Sequence, residues 1–445
     1  MRRLTLCLAA LTFPGLAQEP LTLQQAVDLA LQKHPSIEAA GQQVKAAEAR
    51  IGQARSGYLP KVNYQETAAR SNNPVFVFSS LLTQHQFTEQ NFNIATLNRP
   101  GFLDNFQSLV SVDQTVWDNR ATKNHVRMAE TGRAITAEDE RRERLNMTTR
   151  VVQSYFGSTL AQAAFDSARE AVRSAEADLK RAESIRNAGM STDADVLSIR
   201  VHLAGVREQE VRRNADLQVA LAALNETLGL PLDTVHTLTT GLDPATLAAP
   251  GSNAYESQAV QQRPEIRQVR LSEDLAEQQG SVAKSSRWPT VSARAAFEAD
   301  RQTFFDKGGA NWWFGATLRW NLFNGFADKE RIAESSYLLA AAKAKERQLD
   351  SGLRLEVRRA WANYTAANER IRLTTETVEQ AEESLRITKN RYDAGMSTVT
   401  DLLRTETALL DARTRKLSAI YDQRLAAAAV ELAAGTLSPA SEVLR

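Results

Sequence analysis

The sequence has one cysteine, few prolines and no long apolar run. Cys7 lies in the N-terminal apolar stretch, so the chain downstream of it has no disulfide, thiol nucleophile or lipid-accepting cysteine. No segment supplies the roughly 20 consecutive apolar residues that a transmembrane helix requires. The formal net charge is +1 without a basic block, which argues against a nucleic-acid partner. Five dispersed histidines lack metal-ligand spacing, and no nucleotide-binding motif occurs. We therefore expect no enzyme activity, metal or cofactor.

The N-terminus has the features of an export signal. Arg2 and Arg3 precede an apolar stretch that runs from Leu4 to Leu16, and small residues lie at the positions that a signal peptidase reads. We therefore expect a signal peptide over residues 1–17, cleaved after Ala17, and export across the inner membrane.

Proline is unevenly distributed. None lies between Pro100 and Pro231 or between Pro289 and Pro439, and both stretches are rich in strong helix formers. The pattern predicts very long helices, because about 70 residues from position 119 onward would extend on the order of 100 Å at the helical rise. A compact globular core could not contain such a helix.

The chain repeats itself. A shift of 206 residues aligns Ala188–Thr192 with Ala394–Thr398 letter for letter. Nearer the start of each half the matching shift is 229, which pairs Pro60 with Pro289, so an insertion of 23 residues lies in the first half. Each half is predicted to contain short helices, two strands, a very long helix, a tight turn and a shorter return helix.

Four segments alternate apolar and polar residues with the period of a strand, at about 61–70, 108–117, 290–299 and 312–323. This pattern fits either an amphipathic sheet over a soluble core or a membrane barrel. Five of the six tryptophans lie in or beside these segments, which favours the barrel: Trp117, Trp288, Trp312, Trp313 and Trp320. Four strands cannot close a barrel, so the barrel requires several copies of the chain.

The repeated turn has its own local chemistry. Gly189 and Gly395 are expected in the left-handed conformation that ends the incoming helix. The threonines that follow would cap the outgoing helix, with Asp195 and Asp401 completing a capping box.

Several motifs together resemble the outer membrane efflux proteins typified by TolC. Residues 21–31 followed by His34-Pro35 resemble the N-terminal signature of that family, with His34 where asparagine is usual. Residues 54–60 resemble the approach to its first barrel strand, residues 322–325 resemble the exit from its last, and the repeated Ala-Gly-Met-Ser-Thr resembles its helix turns. The motifs occur in the family's order across nearly the whole chain.

The resemblance implies a membrane α+β fold. Each chain would give four strands to a trimeric 12-stranded outer-membrane β-barrel, continued by a long α-helical coiled-coil periplasmic tunnel, with internal duplication. The predicted organisation is a signal peptide over 1–17; a first repeat over 18–230, with an extracellular loop at about 71–107 between its strands and a helical hairpin at about 119–229; an equatorial linker over 231–252; a second repeat over 253–435, with a hairpin at about 326–434; and a tail over 436–445.

The resemblance also implies a role and partners. The chain would be a passive outer-membrane exit duct of a tripartite efflux pump or type I secretion system. Its partners would be two further copies of itself in a homotrimer, a periplasmic adaptor (membrane fusion protein), an inner-membrane transporter of RND or ABC type, and outer-membrane lipid. The hairpin tips would dock the adaptor through Gly189, Met190, Ser191, Gly395, Met396 and Ser397.

The resemblance further implies a periplasmic gate at the tips. Asp195 and Asp401 match two gate carboxylates of the family and Tyr392 matches its tyrosine. Ser397 stands in place of an arginine, and Arg404 in place of a second acidic ring, so the gate is expected to be wired differently. Simple helix capping by the two aspartates and ordinary packing of Tyr392 are the alternative roles.

A second function from another class is a periplasmic coiled-coil adaptor or scaffold that never enters a membrane. Such a protein would have similar hairpins, but it would normally carry a lipoyl-like β module and would not need two strand pairs with aromatic flanks. The residues of the predicted conduit do not indicate whether a drug, metal, dye or protein is exported.

Overall fold

The computed structural model describes residues 19–189, 191–248 and 251–444. The predicted signal peptide and Met190 therefore lie outside the described residues. The helices are Leu23–Lys33 (α1), Pro35–Arg55 (α2), Pro74–Thr83 (α3), Ile94–Asn98 (α4), Ala121–Asn187 (α5), Asp193–Leu228 (α6), Ser252–Gln262 (α7), Pro264–Ser285 (α8), Ala327–Asp393 (α9) and Val399–Ala434 (α10). The strands are Glu19–Leu21 (β1), Lys61–Ser71 (β2), Leu103–Trp117 (β3), His236–Leu238 (β4), Thr290–Arg301 (β5) and Gly309–Arg319 (β6).

Apart from α3 and α4, which lie between β2 and β3, the order of elements occurs twice along the chain. Helices α5 and α9 have 67 residues each, and helices α6 and α10 have 36 each. Their mean composition is polar, and within the described ranges no helix is both long enough and apolar enough to cross a bilayer.

The chain folds into two compact units. One comprises the described part of Met1–Gln42 together with Glu138–Arg267 and Arg347–Arg445, and the other comprises Gln43–Ala137 and Gln268–Glu346. Each unit therefore takes segments from both sequence repeats.

The first unit has an apolar core in which helices α1, α5, α6, α7, α9 and α10 meet. Leu23, Tyr155, Phe156 and Val430 are fully buried there. The Tyr155 hydroxyl donates to the Leu21 carbonyl at 2.8 Å and accepts from the Thr240 amide at 2.9 Å, so a buried side chain links the C-terminal ends of the parallel strands β1 and β4.

Two glycines end the return helices of this unit in the same way. Gly229 (φ +70°) and Gly435 (φ +74°) take the left-handed conformation after α6 and α10. A Cβ at Gly229 would lie 3.1 Å from the backbone oxygen of Lys33, and one at Gly435 would lie 3.1 Å from the backbone nitrogen of Arg263. Both conformation and close backbone approach therefore favour glycine at these positions.

The second unit contains an antiparallel sheet with the strand order β2-β3-β5-β6. Cross-strand partners lie on one face of a sheet, so the register defines the two faces. One face is apolar: Tyr64 pairs with Val110, Val110 with Phe297, and Phe297 with Trp312. The opposite face is polar, as in the chain of partners from Lys61 to Asp113 to Arg294.

The sheet is open within the part of the chain that the structure describes. Strands β2 and β6, of 11 residues each, have a hydrogen-bonded neighbour on one side only. The apolar face is also uncovered, since Trp312 and Phe314 remain 68% and 71% exposed. An open edge and an apolar face of this size require a partner surface.

The predicted extracellular loop at 71–107 is not irregular throughout. Asn73 accepts hydrogen bonds from the amides of Val75 and Phe76 at 2.9 and 3.3 Å, and Pro74 occupies the first helical position, so helix α3 starts here. Beyond α3, Gln84 donates to the buried Asn105 at 2.8 Å on the polar face of the sheet.

Two strand predictions were wrong at their ends. Strand β3 starts at Leu103 rather than near 108, because residues 103–107 continue the ladder with β2. Strand β6 covers Gly309–Arg319 rather than 312–323. The Trp320 indole instead donates to the Arg287 carbonyl at 3.1 Å, and Gly325 and Phe326 turn the chain with positive φ.

Candidate functional site

The candidate site lies at the two turns that join α5 to α6 and α9 to α10, all within the first unit. Gly189 (φ +79°) and Gly395 (φ +71°) are left-handed, as predicted. The Gly395 amide donates to the Tyr392 carbonyl at 3.0 Å and the Met396 amide to the Arg391 carbonyl at 2.8 Å. These bonds satisfy helix-end carbonyls that would otherwise lack donors.

The outgoing helices start with the predicted capping boxes. The Thr192 amide donates to the Asp195 carboxylate at 3.1 Å, and the Asp195 amide donates to the Thr192 hydroxyl at 3.2 Å. Thr398 and Asp401 repeat this exchange at 3.4 and 3.2 Å. Hydrogen bonds from Thr192 lower the pKa of Asp195, and those from Thr398 lower the pKa of Asp401. Both aspartates are therefore ionised helix caps.

The other tip candidates differ in exposure. Gly189, Gly395 and Met396 are exposed, while Ser191 and Ser397 are half-buried and donate to Asp195 and Asp401 at 3.0 and 3.5 Å. Backbone and the Met396 side chain are thus presented at the turn surface, whereas both serine hydroxyls support the caps.

Tyr392 packs where the two hairpins meet. It belongs to a small apolar cluster, which we call the tip cluster: Ala182, Val196, Ile199, Tyr392, Val399 and Leu402. Its hydroxyl is buried without a hydrogen-bond partner among the described residues. Burial, with the nearby charges of Asp195 and Asp178, raises its pKa. Tyr392 is therefore a neutral, packed side chain whose hydroxyl proton is donated to none of the described residues.

Arg404 lies beside the second cap only. Its guanidinium is 3.7 Å from the Asp401 carboxylate and its side chain is 74% exposed. The first tip has Ser198 at the equivalent position, and the Ser198 hydroxyl donates to its own helix at the Ala194 carbonyl. The two aspartates are thus held alike by the backbone but differ in neighbouring charge.

Ion pairs across the hairpins join the tips, and sequence reasoning did not identify them. Arg181 of α5 makes two hydrogen bonds of 2.9 Å to Asp393 of α9. One turn further from the tip, Lys389 of α9 donates to Asp178 of α5 at 2.9 Å. A charge pattern in the sequence could have indicated these pairs. Asp178 and Arg181 are three residues apart on α5, acidic before basic, and Lys389 and Asp393 are four residues apart on α9, basic before acidic.

A second polar group, also unidentified from the sequence, lies behind the tip cluster. Glu406 of α10 accepts from the Ser174 hydroxyl at 3.4 Å and is 3.7 Å from His202 of α6. Burial, followed by the neighbouring Asp178 carboxyl, raises the pKa of Glu406. Its side chain is only 10% exposed and lines a cavity of about 520 Å³ together with His202 and Arg413. Within the described residues no His, Cys, Asp and Glu cluster has the arrangement of a metal site.

Comparison with known proteins identifies the family. The family description "Outer membrane efflux protein" matches residues 26–230 and 256–436. The chain therefore belongs to the outer membrane efflux protein family, a class of transport channels.

Individual relatives agree with this membership. The alkaline protease secretion protein AprF of Pseudomonas aeruginosa is 24% identical over 430 residues, covering 94% of this chain and 85% of AprF. The outer membrane protein TolC of Vibrio cholerae is 23% identical over 295 residues, covering 65% of this chain and 67% of that protein. The Campylobacter jejuni CmeC outer membrane channel has the same fold, with a TM-score of 0.76 at 16% identity over 95% of this chain and 87% of CmeC.

Proposed function

We propose that this chain is a passive exit duct of the outer membrane, in which three copies form one channel. Family membership supports the transport role. The observation that carries the assembly is the open four-stranded sheet, because its two unpaired edges and exposed apolar face suit closure with strands of further copies in lipid. Three sets of four strands would form the 12-stranded barrel, and six helical hairpins the periplasmic tunnel.

The duct would work with a periplasmic adaptor and an inner-membrane transporter of RND or ABC type, and would itself have no catalytic activity or cofactor. The name of AprF connects that relative with protease secretion, which supports export of proteins as well as small molecules through this chain. The alternative, a periplasmic adaptor or scaffold, is disfavoured by the exposed aromatic face of the sheet.

Membrane fractionation distinguishes the two functions. The duct should be recovered in the outer-membrane fraction as a trimer that migrates as a monomer only after heating. Crosslinking in cells should join the tip segments to an adaptor encoded beside a transporter. Release as a soluble periplasmic monomer would support the scaffold instead.

The predicted organisation into signal peptide, repeats, linker and tail is also part of this proposal. N-terminal sequencing of the mature protein tests whether the signal peptide is cleaved after Ala17.

The gate would lie at the hairpin tips, with Asp195, Tyr392, Asp401 and Arg404 as its side chains. The Tyr392 hydroxyl supports this role, since a buried donor without a partner among the described residues favours a movement of the tip that exposes it to water or to another protomer. The turn segments around Gly189, Met190 and Ser191 and around Gly395, Met396 and Ser397 would contact the adaptor.

Single-channel conductance tests the gate. Asp401→Ala combined with Tyr392→Phe should raise the conductance of the closed trimer by about tenfold or more, corresponding to roughly 1.4 kcal/mol of lost tip interaction. The matched control, Asp411→Ala with Tyr337→Phe, changes the same residue types at exposed positions of the same two helices and should leave conductance unaltered. Equal conductance of the double variant and the wild type would exclude these residues from the gate.

A further inference from the structure

The polar group behind the tip cluster connects four helices. Asp178 comes from α5, His202 from α6, Lys389 from α9 and Glu406 from α10. Lys389 donates to Asp178 Oδ1 at 2.9 Å, whereas Asp178 Oδ2 is buried and has no hydrogen-bond partner among the described residues. The negative charge of Asp178 acts on the neighbouring carboxyl of Glu406, which accepts from the Ser174 hydroxyl at 3.4 Å. Asp178 is 3% exposed and Glu406 10%. We call these four residues the joint.

The joint lies one helical turn from the tip cluster on every helix. Asp178 is four residues before Ala182, and Lys389 is three residues before Tyr392. His202 and Glu406 follow tip-cluster members by three and four residues in the same way. Residues at these spacings are neighbours on one helix face, so each residue of the joint adjoins a member of the layer that holds Tyr392.

The buried Asp178 Oδ2 atom has no donor among the described residues, and the Glu406 carboxyl beside it can donate only when it is protonated. Two ionised carboxylates would repel, so the pair shares one proton. Burial, followed by the hydrogen bond and negative charge of Asp178, raises the pKa of Glu406 to about 8. Burial alone would raise the pKa of Asp178 too, but the bonds from Glu406 and Lys389 outweigh it and lower that pKa. The shared proton therefore resides on Glu406 at neutral pH.

Other charged groups face the joint from each helix. Burial lowers the pKa of His202, so this ring is neutral above pH 7 and does not titrate with Glu406. Arginine stays protonated at all these pH values. The remaining groups are Glu170 and Arg181 on α5, Glu208 and Arg212 on α6, Glu382 and Asp393 on α9, and Arg413 on α10.

We propose that Glu406 is a proton-dependent positioning residue of the gate, which joins the two hairpins while its carboxyl is protonated and separates them when it ionises. This inference rests on the proposed channel function only for its effect on conductance. The cavity of about 520 Å³ beside Glu406 gives the ionised carboxylate a route to water, so separation does not require a large unfolding step.

The direction of the pH effect follows from linkage. The joined form binds the proton more tightly than a form in which Glu406 faces water, since its pKa is about 8 rather than the usual 4.5. The joined form is therefore fully favoured below about pH 4.5, loses stability as pH rises to about 8, and changes little above it. The ratio of separated to joined forms should increase by up to about tenfold per pH unit in this window.

The test compares wild type, Glu406→Gln and Glu379→Gln as full-length trimers. Glutamine preserves the shape and a donor to Asp178 but cannot ionise. Glu379 is an exposed glutamate of the neighbouring long helix, so its variant controls for lost charge. Channel conductance is recorded from pH 6.5 to 9, and hydrogen exchange of residues 399–409 is measured in the same preparations, with variants compared at equal pH.

Wild type and Glu379→Gln should open more often as pH rises, with a plateau above about pH 8, and Glu406→Gln should keep its low-pH behaviour throughout. Exchange at 399–409 should be faster in wild type than in Glu406→Gln at every pH tested, and the ratio of the two rates should grow several-fold from pH 6.5 to pH 8.5, because the joined form loses stability between about pH 4.5 and pH 8. A wild-type pH response that persists in Glu406→Gln, or equal exchange in the two at pH 8.5, overturns the inference. Absence of conductance with the exchange difference intact would instead refute the channel function and leave the joint supported.

Discussion

The two helical hairpins place the same ion pair at one level and different pairs nearer the tip. In the first hairpin, Arg207 bonds Glu176 at 2.7 Å, and in the second, Arg413 bonds Glu382 at 2.9 Å. The residues of the second pair lie 206 positions after those of the first. At this level both repeats have the same feature, an exposed ion pair between the two helices of a hairpin.

Nearer the tip the hairpins diverge. The first has Glu183 bonded to Arg200 at 2.8 Å, again within the hairpin and largely exposed. The equivalent positions of the second are Lys389 and Glu406, with the charges reversed, and both turn to Asp178 of the first hairpin. The repeats therefore share the helical framework, but the layer behind the tips joins one hairpin to the other.

The largest predicted effect comes from breaking this joining layer. Asp178→Ala removes the partner of Lys389 and Glu406 and should lower stability by about 2–3 kcal/mol, less than for a fully buried pair because Lys389 is 34% exposed. The midpoint of thermal unfolding of the detergent-solubilised trimer measures the loss. Glu183→Ala, which breaks the within-hairpin pair, is the control and should cost far less. Equal losses would mean that the two layers do not differ.

The turns should respond alike, since both need a left-handed residue. Gly189→Ala and Gly395→Ala should each destabilise by about 1–2 kcal/mol, because a Cβ disfavours positive φ. Beyond the adjacent residues, no atom of the described part of the chain lies within 4 Å of the added Cβ at either turn, so the cost should be conformational only. Thermal unfolding of the two variants tests this, with Gly352→Ala in the interior of α9 expected to be neutral or stabilising. A difference above about 1 kcal/mol between the turns would contradict their equivalence.

The caps give a smaller effect of the same kind. Thr192→Ala and Thr398→Ala each remove a side-chain acceptor for a helix N-terminal amide and should cost about 1 kcal/mol. Replacement by serine should restore most of the loss, because serine supplies the same acceptor. Hydrogen exchange in the first turn of α6 and α10 would detect the fraying directly. Unchanged protection in both alanine variants would show that the caps are dispensable.

The smallest effect belongs to the shared exposed pair. Arg207→Ala should lower stability by only about 0.2–1 kcal/mol, since both partners are roughly half exposed. Arg413→Ala should cost somewhat more, because Arg413 is also 3.5 Å from Glu170 of the other hairpin. Raising the salt concentration should reduce both losses in thermal unfolding. A cost above about 2 kcal/mol for Arg207→Ala would contradict a screened surface pair.

Local chemistry explains which features could be predicted from the sequence. The left-handed turns, capping boxes and strand alternation depend on residues close in sequence, and the structure has each of them at or near the expected place. The predicted strand ends were wrong where contacts between residues far apart in sequence determine where a strand begins or ends. Strand β3 is extended by pairing with β2, and Trp320 leaves β6 to bond the Arg287 carbonyl.

The joint was missed for the same reason. Glu406 has no distinctive neighbours in sequence, and its environment comes from helices α5, α6 and α9, more than 200 residues away in two cases. From the sequence alone, a glutamate on a helix rich in charged residues is expected to be exposed to solvent. Only packing of both hairpins shows that its carboxyl is buried against Asp178.

Conductance and assembly of the purified protein test the central claim most directly. Full-length protein extracted from the outer membrane and added to a planar lipid bilayer should insert as a heat-modifiable trimer and conduct ions in discrete steps. A water-soluble monomer that produces no steps in the bilayer would contradict the assignment of this chain as an outer-membrane duct.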